Sequence, residues 1–364
     1  MSYDPRPHLK DYPLEELRVR FERAGVAPYR AQQVQQWLYG RGIDDPHAMT
    51  DLGADLRSRL ASEWRTRALE LEELQRSADG TLKGRLRALD GAVIEAVAIP
   101  DDERTTLCIS TQVGCPLACS FCATGALGFK RNLSTAEIVD QLVRMRAVLD
   151  PGRRITNVVF MGMGEPLLNL PAVLRAVRIL MHPKGFSFAG RRITVSTAGV
   201  VPRLRELLSG APVNLAVSLH AATDELRDVL VPLNRRFPLR DLMAELRSLE
   251  QVTPRRPVFF EYTLMRGVND TLDDARRLAR LLQGLPSKVN VIPMNPHPDA
   301  PYLPPEPEVA SRFLGELATA GLTVTLRRSR GADIDAACGQ LAAREAAQGA
   351  LECSRPSQPG PTRG

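Results

Sequence analysis

Strand-like apolar segments alternate with helix-like amphipathic segments from about residue 105 to residue 327. The predicted strands are 106–110, 155–161, 192–196, 213–218, 258–264, 289–293 and 323–327. The predicted helices between them include 135–149, 171–181, 239–249, 272–285 and 307–320. Strands joined through helices run parallel, and helices then cover the faces of their sheet. The alternation therefore predicts an α/β protein with a parallel sheet.

Six or seven such units predict a barrel, and we expect an incomplete one of the (β/α)6 type. The alternative is an open, doubly wound sheet. Both architectures bind ligands at the carboxyl ends of their strands, so the segments that follow the strands are where functional residues are expected.

The remainder of the chain divides into three further segments. Residues 1–75 predict a small helical domain, because apolar residues recur there at helical spacing. Residues 76–100 predict a linking β-hairpin, since Asp90-Gly91 separates two apolar runs. Residues 101–345 hold the α/β core. The tail 346–364, rich in Pro, Ser and Gly, predicts disorder and contains Cys353, which we expect to be inert.

Three cysteines lie close together directly after the first core strand. Cys115, Cys119 and Cys122 have the spacing C-x3-C-x2-C. Three thiolates on one loop can ligate three irons of a cubane cluster and leave the fourth iron open to a small molecule. A zinc site is the alternative, but zinc usually takes its ligands in two pairs, and the sequence offers no second pair. Six cysteines in 364 residues, with no signal peptide expected, argue against structural disulfides.

Polar residues follow four other predicted strands. Met161 to Pro166 contains Gly164 and Glu165, whose backbone and carboxylate suit close approach to an amine or a ribose hydroxyl. The other three strands end at Ser196, at Ser218 to His220, and at Asn295. One such residue is usually a helix cap, but four at one edge predict a site for a polar ligand. A buried structural histidine is the competing interpretation of His220.

The net charge of +6 and the pI of about 9.2 permit an acidic partner such as nucleic acid. Arginine outnumbers lysine, which suits RNA, although genome composition explains that bias equally well. Arg18, Arg20, Arg23 and Arg30 are candidates for backbone contacts, and a solvated helix face is the simpler alternative. No apolar run reaches the length of a membrane span, so we expect a cytoplasmic protein with no membrane partner.

Several segments together resemble the RlmN/Cfr RNA methyltransferases of the radical S-adenosylmethionine (SAM) superfamily. They are CISTQVGC at 108–115, FCATG at 121–125, RNL at 131–133 and GADIDAACGQL at 331–341. PYRAQQ at 28–33 and WLY at 37–39 resemble the accessory domain of that family. The resemblance covers the chain to about residue 345, and it implies a radical SAM barrel preceded by an RNA-binding domain.

The resemblance also implies roles for individual residues. Cys115, Cys119 and Cys122 would ligate a [4Fe–4S] cluster. SAM would contact Gly164, Glu165, Ser196, Ser218, Leu219, His220 and Asn295. Cys338 would carry a methyl group, Cys108 would resolve a protein–RNA adduct by forming a disulfide, and Glu95 would accept a proton. Glu95 lies among apolar residues in the hairpin, where a solvent-facing strand position is the alternative.

The implied reaction is methylation of adenine carbon 2 in 23S rRNA, at the peptidyl-transferase centre, and in tRNA, beside the anticodon. It would consume two SAM molecules per turnover and need an external, flavodoxin-like electron donor. A monomer is expected. Two alternatives stay open at this point. One is methylation of adenine carbon 8, as in the antibiotic-resistance branch of the family, and the other is a zinc-stabilised RNA-binding protein without enzymatic activity.

Overall fold

The structure is a computed structural model that describes residues 4–298 and 300–342. The predicted tail, with Cys353, and the last residues of the predicted core lie outside the described residues. None of the helices in the described part of the chain has the length and apolarity that crossing a membrane requires.

The N-terminal region consists of three short helices, α1 (Leu14–Arg23), α2 (Arg30–Gln35) and α3 (Ala54–Glu63). A π-helical turn, Gln36–Arg41, continues α2 and ends at Gly42, whose φ of 71° terminates the helix. Leu17 and Phe21 recur one turn apart on α1 and are buried, and the Trp64 ring packs edge-on against Phe21 at 5.7 Å. These helices therefore share one small apolar core.

Four antiparallel strands follow: β1 (Leu69–Arg76), β2 (Leu82–Ala88), β3 (Val93–Asp101) and β4 (Arg104–Cys108). The predicted hairpin corresponds to β2 and β3, with Gly91 at a φ of 84° in its turn. It does not stand apart from the core, because β3 pairs with β4 and extends the main sheet. The predicted helical region runs through residue 75, whereas Leu69, Leu71 and Leu74 lie on a strand that pairs with β2.

After β4 the chain forms a small excursion before the first covering helix. A two-stranded ribbon, β5 (Gln112–Gly114) and β6 (Phe129–Asn132), encloses the short helix α4 (Ala123–Ala126). The helix α5 (Thr135–Arg146) then begins at a capping box, in which Ser134 and Glu137 satisfy each other's backbone N–H groups. The cysteine loop is thus anchored at both ends by regular structure.

The remaining core strands are β7 (Asn157–Phe160), β8 (Ile193–Thr197), β9 (Asn214–Ser218), β10 (Val258–Leu264), β11 (Ser287–Pro293) and β12 (Thr323–Leu326). The helices are α6 (Leu170–Met181), α7 (Val201–Gly210), α8 (Asp224–Leu230), α9 (Leu239–Ser248), α10 (Leu272–Leu282) and α11 (Pro307–Thr319). Strands β4 and β7 to β12 are parallel and lie in chain order. A doubly wound sheet requires a reversal of the strand order, and this order contains none. No pairing joins β12 to β4, so the barrel is not closed. The prediction of an incomplete barrel is confirmed.

The C-terminal segment 328–342 packs beside the open edge of this barrel. Asp333 accepts hydrogen bonds from Ser77 Oγ at 2.5 Å and from the Ala78 N–H at 3.1 Å. On the other side, the Ala123 N–H donates to the Gly339 carbonyl at 2.7 Å. The segment therefore joins the antiparallel strands to the cysteine loop.

A buried ion pair connects the N-terminal region to the core. Lys10 Nζ contacts Asp140 on α5, and both side chains have no solvent exposure. The second carboxylate oxygen of Asp140 accepts from the Ala68 and Leu69 N–H groups, each at 2.9 Å. A buried pair is costly to break, because the remaining charge stays buried without compensation.

Lys10→Met should therefore destabilise the protein by about 3 kcal/mol, because Asp140 keeps its charge and loses its main counterion. The measurement is the free energy of unfolding from chemical denaturation. Arg18→Met is the matched control, since Arg18 pairs with an exposed Glu15 and should change stability little. Equal effects of the two substitutions would contradict this assignment.

Candidate active site

The three clustered cysteines lie on a loop whose backbone is folded back on itself. The Cys115 N–H donates to the Gly128 carbonyl at 2.9 Å, and the Cys122 N–H donates to the Cys119 carbonyl at 3.2 Å. Gly114 permits this fold, because its φ is 73° and a Cβ there would lie 1.8 Å from the Gly128 oxygen. This backbone fold places all three cysteines in the wall of one cavity.

That cavity has an empty volume of about 930 Å³, its mouth included, and it lies at the carboxyl ends of the parallel strands. Its walls combine the cysteine loop with the residues that follow the strands. The lining residues include Cys115, Cys119, Cys122, Gly164, Glu165, Ser196, Ser218, His220 and Cys338. The volume is within the range of small-molecule sites, so the edge predicted from the strand ends is also where the structure has room for a ligand.

Glu165 is held rigidly at the end of β7. Its two carboxylate oxygens accept from the Leu167 N–H at 3.0 Å and the Ala198 N–H at 2.8 Å. Burial raises the pKa of Glu165 to about 6, although these hydrogen bonds oppose the shift. Gly164 before it has a φ of 96°, and a Cβ there would lie 2.5 Å from the Gln112 Cβ. The turn therefore needs glycine both for its conformation and for space.

Residues at the ends of β8 and β9 form the opposite wall. Ser196 Oγ and Ser218 Oγ lie 3.5 Å apart. His220 has a φ of 58°, its Nδ1 accepts from the Thr263 N–H at 3.0 Å, and burial lowers its pKa to about 3. The ring is therefore a neutral, fixed surface of the cavity. Leu219 does not line the cavity, because its side chain is completely buried in the core.

Asn295 lies at a second, smaller cavity rather than at the first one. Its Nδ2 donates to the Cys338 carbonyl at 3.0 Å, and its Oδ1 accepts from Ser329 Oγ. Cys108 also lines the second cavity, and Cys338 lines both. Asn295 therefore positions the Cys338 backbone in this structure.

Cys108 and Cys338 are both free thiols here, so the expected disulfide between them is not formed. Burial, followed by the charge of Cys338, raises the pKa of Cys108 to about 12. Burial also raises the pKa of Cys338, while the Arg327 guanidinium opposes that shift. Cys338 as a whole residue is nevertheless exposed, and it lines both cavities.

Glu95 lines neither cavity. It is only 3% exposed, which excludes the solvent-facing alternative. Its Oε2 accepts from the Ala342 N–H at 3.0 Å, and Lys83 Nζ lies 3.6 Å from Oε1. The carboxylate is thus engaged by the segment that carries Cys338, and its role as a proton acceptor stays a prediction.

Three charged residues at or behind the cavities were not predicted from the sequence. Glu261 and Arg327 both line the larger cavity and form an ion pair at 3.5 Å. Arg227 is fully buried behind it. A carboxylate inside the apolar run of β10 is the signal for Glu261. The two arginines carry no comparable signal, because the chain is rich in arginine.

The donor set of the cavity fits an iron–sulfur cluster. Within residues 4–298 and 300–342, no group of three His, Cys, Asp or Glu side chains is arranged around a single metal ion. The three loop thiols instead line one cavity, as separate iron ligands of a cubane do. Burial removes the three thiols from water and thereby raises the pKa of each. A bound metal would lower these pKa values again by stabilising the thiolates.

Comparison with known proteins agrees with this assignment. Residues 109–282 match the family model of the Radical SAM superfamily. Residues 8–65 match that of the "Ribosomal RNA large subunit methyltransferase N-terminal domain". The crystal structure of a radical SAM methyltransferase from Sphaerobacter thermophilus superimposes with a TM-score of 0.88 at 46% identity, covering 93% of this chain and 100% of that one.

Two relatives named "Dual-specificity RNA methyltransferase RlmN" align over nearly the whole chain. The protein from Syntrophobacter fumaroxidans is 48% identical over 335 residues, which are 92% of this chain and 98% of the relative. The protein from Geobacter sulfurreducens is 47% identical over 352 residues, or 97% of this chain and 95% of the relative. The similarity therefore includes both the N-terminal region and the barrel.

Anaerobic reconstitution should give a brown protein with about four irons per chain. Cys119→Ser should lose most of this iron, because it removes one of three ligands, whereas Cys338→Ser should retain it. Iron and zinc analysis with visible spectra makes the measurement. A colourless protein with one zinc would instead support the zinc-stabilised alternative.

Proposed function

The chain belongs to the RlmN family of radical SAM RNA methyltransferases, and on that basis we propose that it methylates carbon 2 of adenine in RNA. The proposed substrates are 23S rRNA, at the peptidyl-transferase centre, and tRNA, at the adenine 3′ of the anticodon. One observation carries the proposal: a single cavity is lined by three candidate cluster ligands, by polar strand-end residues and by Cys338.

When bound, the cluster and two SAM molecules supply one methyl group, one electron and a carbon-centred radical. The chain's own residues hold these groups in place. Cys115, Cys119 and Cys122 would ligate the cluster. Glu165 and Ser196 lie across the same cavity, where SAM would bind. Bound cofactor and RNA would displace water from this cavity, which protects reactive species from side reactions.

Cys338 is the proposed methyl acceptor. Adenine carbon 2 is electron-poor and cannot attack a sulfonium methyl group directly, so the methyl group needs a protein carrier. A thiolate is a good nucleophile for that first transfer. Cys338 lines the cavity, and although burial raises the pKa of its thiol, the Arg327 guanidinium opposes that shift. The methylated sulfur then presents its carbon toward the cavity that also contains the cluster ligands.

Cys108 is the proposed resolving residue. Once Cys338 is bonded to the adenine through the former methyl carbon, the adduct radical loses one electron, which the oxidised cluster would accept, and Glu95 takes the proton that leaves the ring carbon. Cys108 sulfur then attacks Cys338 sulfur. An S–S bond forms and the S–C bond breaks, so the carbon keeps the electron pair and takes a proton. Two electrons from an external reductant return both thiols. The second cavity, which Cys108 shares with Cys338, supports this pairing.

RNA must present an unpaired or flipped adenine to this cavity. The N-terminal helices are the proposed site of contacts with the RNA backbone. Arg23 is exposed there and Arg30 is half-buried. We further propose that the protein works as a monomer in the cytoplasm and receives its electron from a flavodoxin-like donor.

Mass spectrometry of nucleosides from RNA treated with the reconstituted enzyme tests the position of methylation. The expected product is 2-methyladenosine, formed in 23S rRNA and in tRNA. Formation of 8-methyladenosine in its place would assign the chain to the other branch of the family. Substrate RNA with the target adenine replaced by guanine is the control and should gain no methyl group.

Cys108→Ala should accumulate a covalent RNA–protein species, because the adduct forms and is not resolved. Cys338→Ala should form none, and neither should the double variant. Denaturing gel electrophoresis with labelled RNA makes the comparison. The two-cysteine mechanism is wrong if Cys108→Ala and wild type give the same band pattern.

A further inference from the structure

Arg227 is a buried cation with an unusual set of partners. It lies on α8 with no solvent exposure. Its guanidinium donates to the Ala198 carbonyl at 2.6 Å, the Leu219 carbonyl at 3.1 Å and the Ser218 carbonyl at 3.2 Å. The fourth partner is Asn234 Oδ1 at 2.9 Å. All four acceptors are neutral.

No carboxylate in the described part of the chain forms an ion pair with Arg227. Asp224 and Asp228 instead accept from Asn234 Nδ2, at 2.9 and 2.7 Å, so the amide separates them from the guanidinium. Burial lowers the pKa of Arg227 to about 10, which leaves the side chain cationic at neutral pH. Asp224 and Asp228 stabilise the cation only from a distance, whereas buried charges are normally paired directly, so an anionic group bound in the neighbouring cavity would complete the pairing of Arg227.

The cysteine loop lies next to this cation. The Ser120 N–H donates to the Leu230 carbonyl at the end of α8, at 3.2 Å. Leu230 and Val231 pack in one apolar cluster with Phe121, and Cys119 and Cys122 pack against that cluster. Ala198 and Ser218, whose carbonyls accept from Arg227, line the cavity that also contains the three loop cysteines. The guanidinium therefore lies directly behind the wall of the cavity that the loop cysteines share.

We infer that Arg227 is the protein's counterion for the iron–sulfur cluster and raises its reduction potential. A cubane with three thiolate ligands is anionic, and it gains another negative charge when it is reduced. A fixed cation in a water-excluded site stabilises the reduced form more than the oxidised form. Arg227 also joins the ends of β8 and β9, through the carbonyls of Ala198 and Ser218. The inference rests on the proposed cluster site.

The test is a redox titration of the anaerobically reconstituted full-length protein without SAM, followed by electron paramagnetic resonance of the reduced cluster. Arg227→Gln should lower the reduced-to-oxidised ratio at a fixed potential at least tenfold, which is a shift of about 59 mV to a more negative potential. Arg227→Lys keeps the charge and should retain the wild-type potential, even where its melting temperature falls because hydrogen bonds are lost.

Arg256→Gln is the matched control. Arg256 also donates to main-chain carbonyls, those of Ala211 and Val213, but these lie at the opposite end of β9 from Ser218. Its removal should leave the potential unchanged. The inference is overturned if Arg227→Gln with full iron content titrates like wild type, or if Arg256→Gln shifts the potential equally.

A second comparison keeps the test decisive where Arg227→Gln takes up no iron. The test then rests on Arg227→Lys alone. If its reduction potential falls together with its melting temperature, geometry rather than charge determines the potential, and the inference is overturned. Wild-type protein that binds no iron would instead contradict the proposed cluster, so the two failures are distinguishable.

Discussion

A pair of hydrogen bonds between the cysteine loop and the C-terminal segment holds the site together. The Ala123 N–H donates to the Gly339 carbonyl at 2.7 Å, and Thr124 Oγ1 donates to the Leu341 carbonyl at 2.5 Å. Ala123 directly follows Cys122, a proposed cluster ligand, and Gly339 follows Cys338. The two contacts therefore fix the proposed methyl-carrying thiol relative to the proposed cluster across more than 200 residues of sequence. Without them, the barrel would be open where its chemistry has to be enclosed.

The incomplete barrel leaves an open edge for the C-terminal segment. A closed barrel would fill its interior with side chains, whereas here β12 and β4 do not pair. The C-terminal segment uses the space at that edge, and Asp333 and Ala342 attach it to the antiparallel strands. Because the segment is held by hydrogen bonds at its two ends, Cys338 can be accessible to solvent while its backbone stays fixed.

Much of the site was predictable from local sequence. The spacing of Cys115, Cys119 and Cys122 requires a single loop, and Glu165, Ser196 and His220 follow strands whose ends meet at one edge. The strand Leu69–Arg76 was not predicted, because its mixture of Leu and Glu also fits a helix, and pairing with β2 decides its conformation. Asn295 stays a predicted SAM contact, and the structure adds its hydrogen bond to the Cys338 backbone, a partner that no local pattern identifies.

The sequence by itself determined the fold class, because periodicity is a local property, and its motifs identified the family to which the chain belongs. Tertiary structure alone decided which distant groups share a volume. It brought Cys338 to the cluster loop and engaged Glu95 with Ala342. It also enclosed Arg227 without a carboxylate partner. Burial and electrostatic pairing depend on contacts between residues far apart in the chain, and only the folded arrangement of strands and helices specifies those contacts.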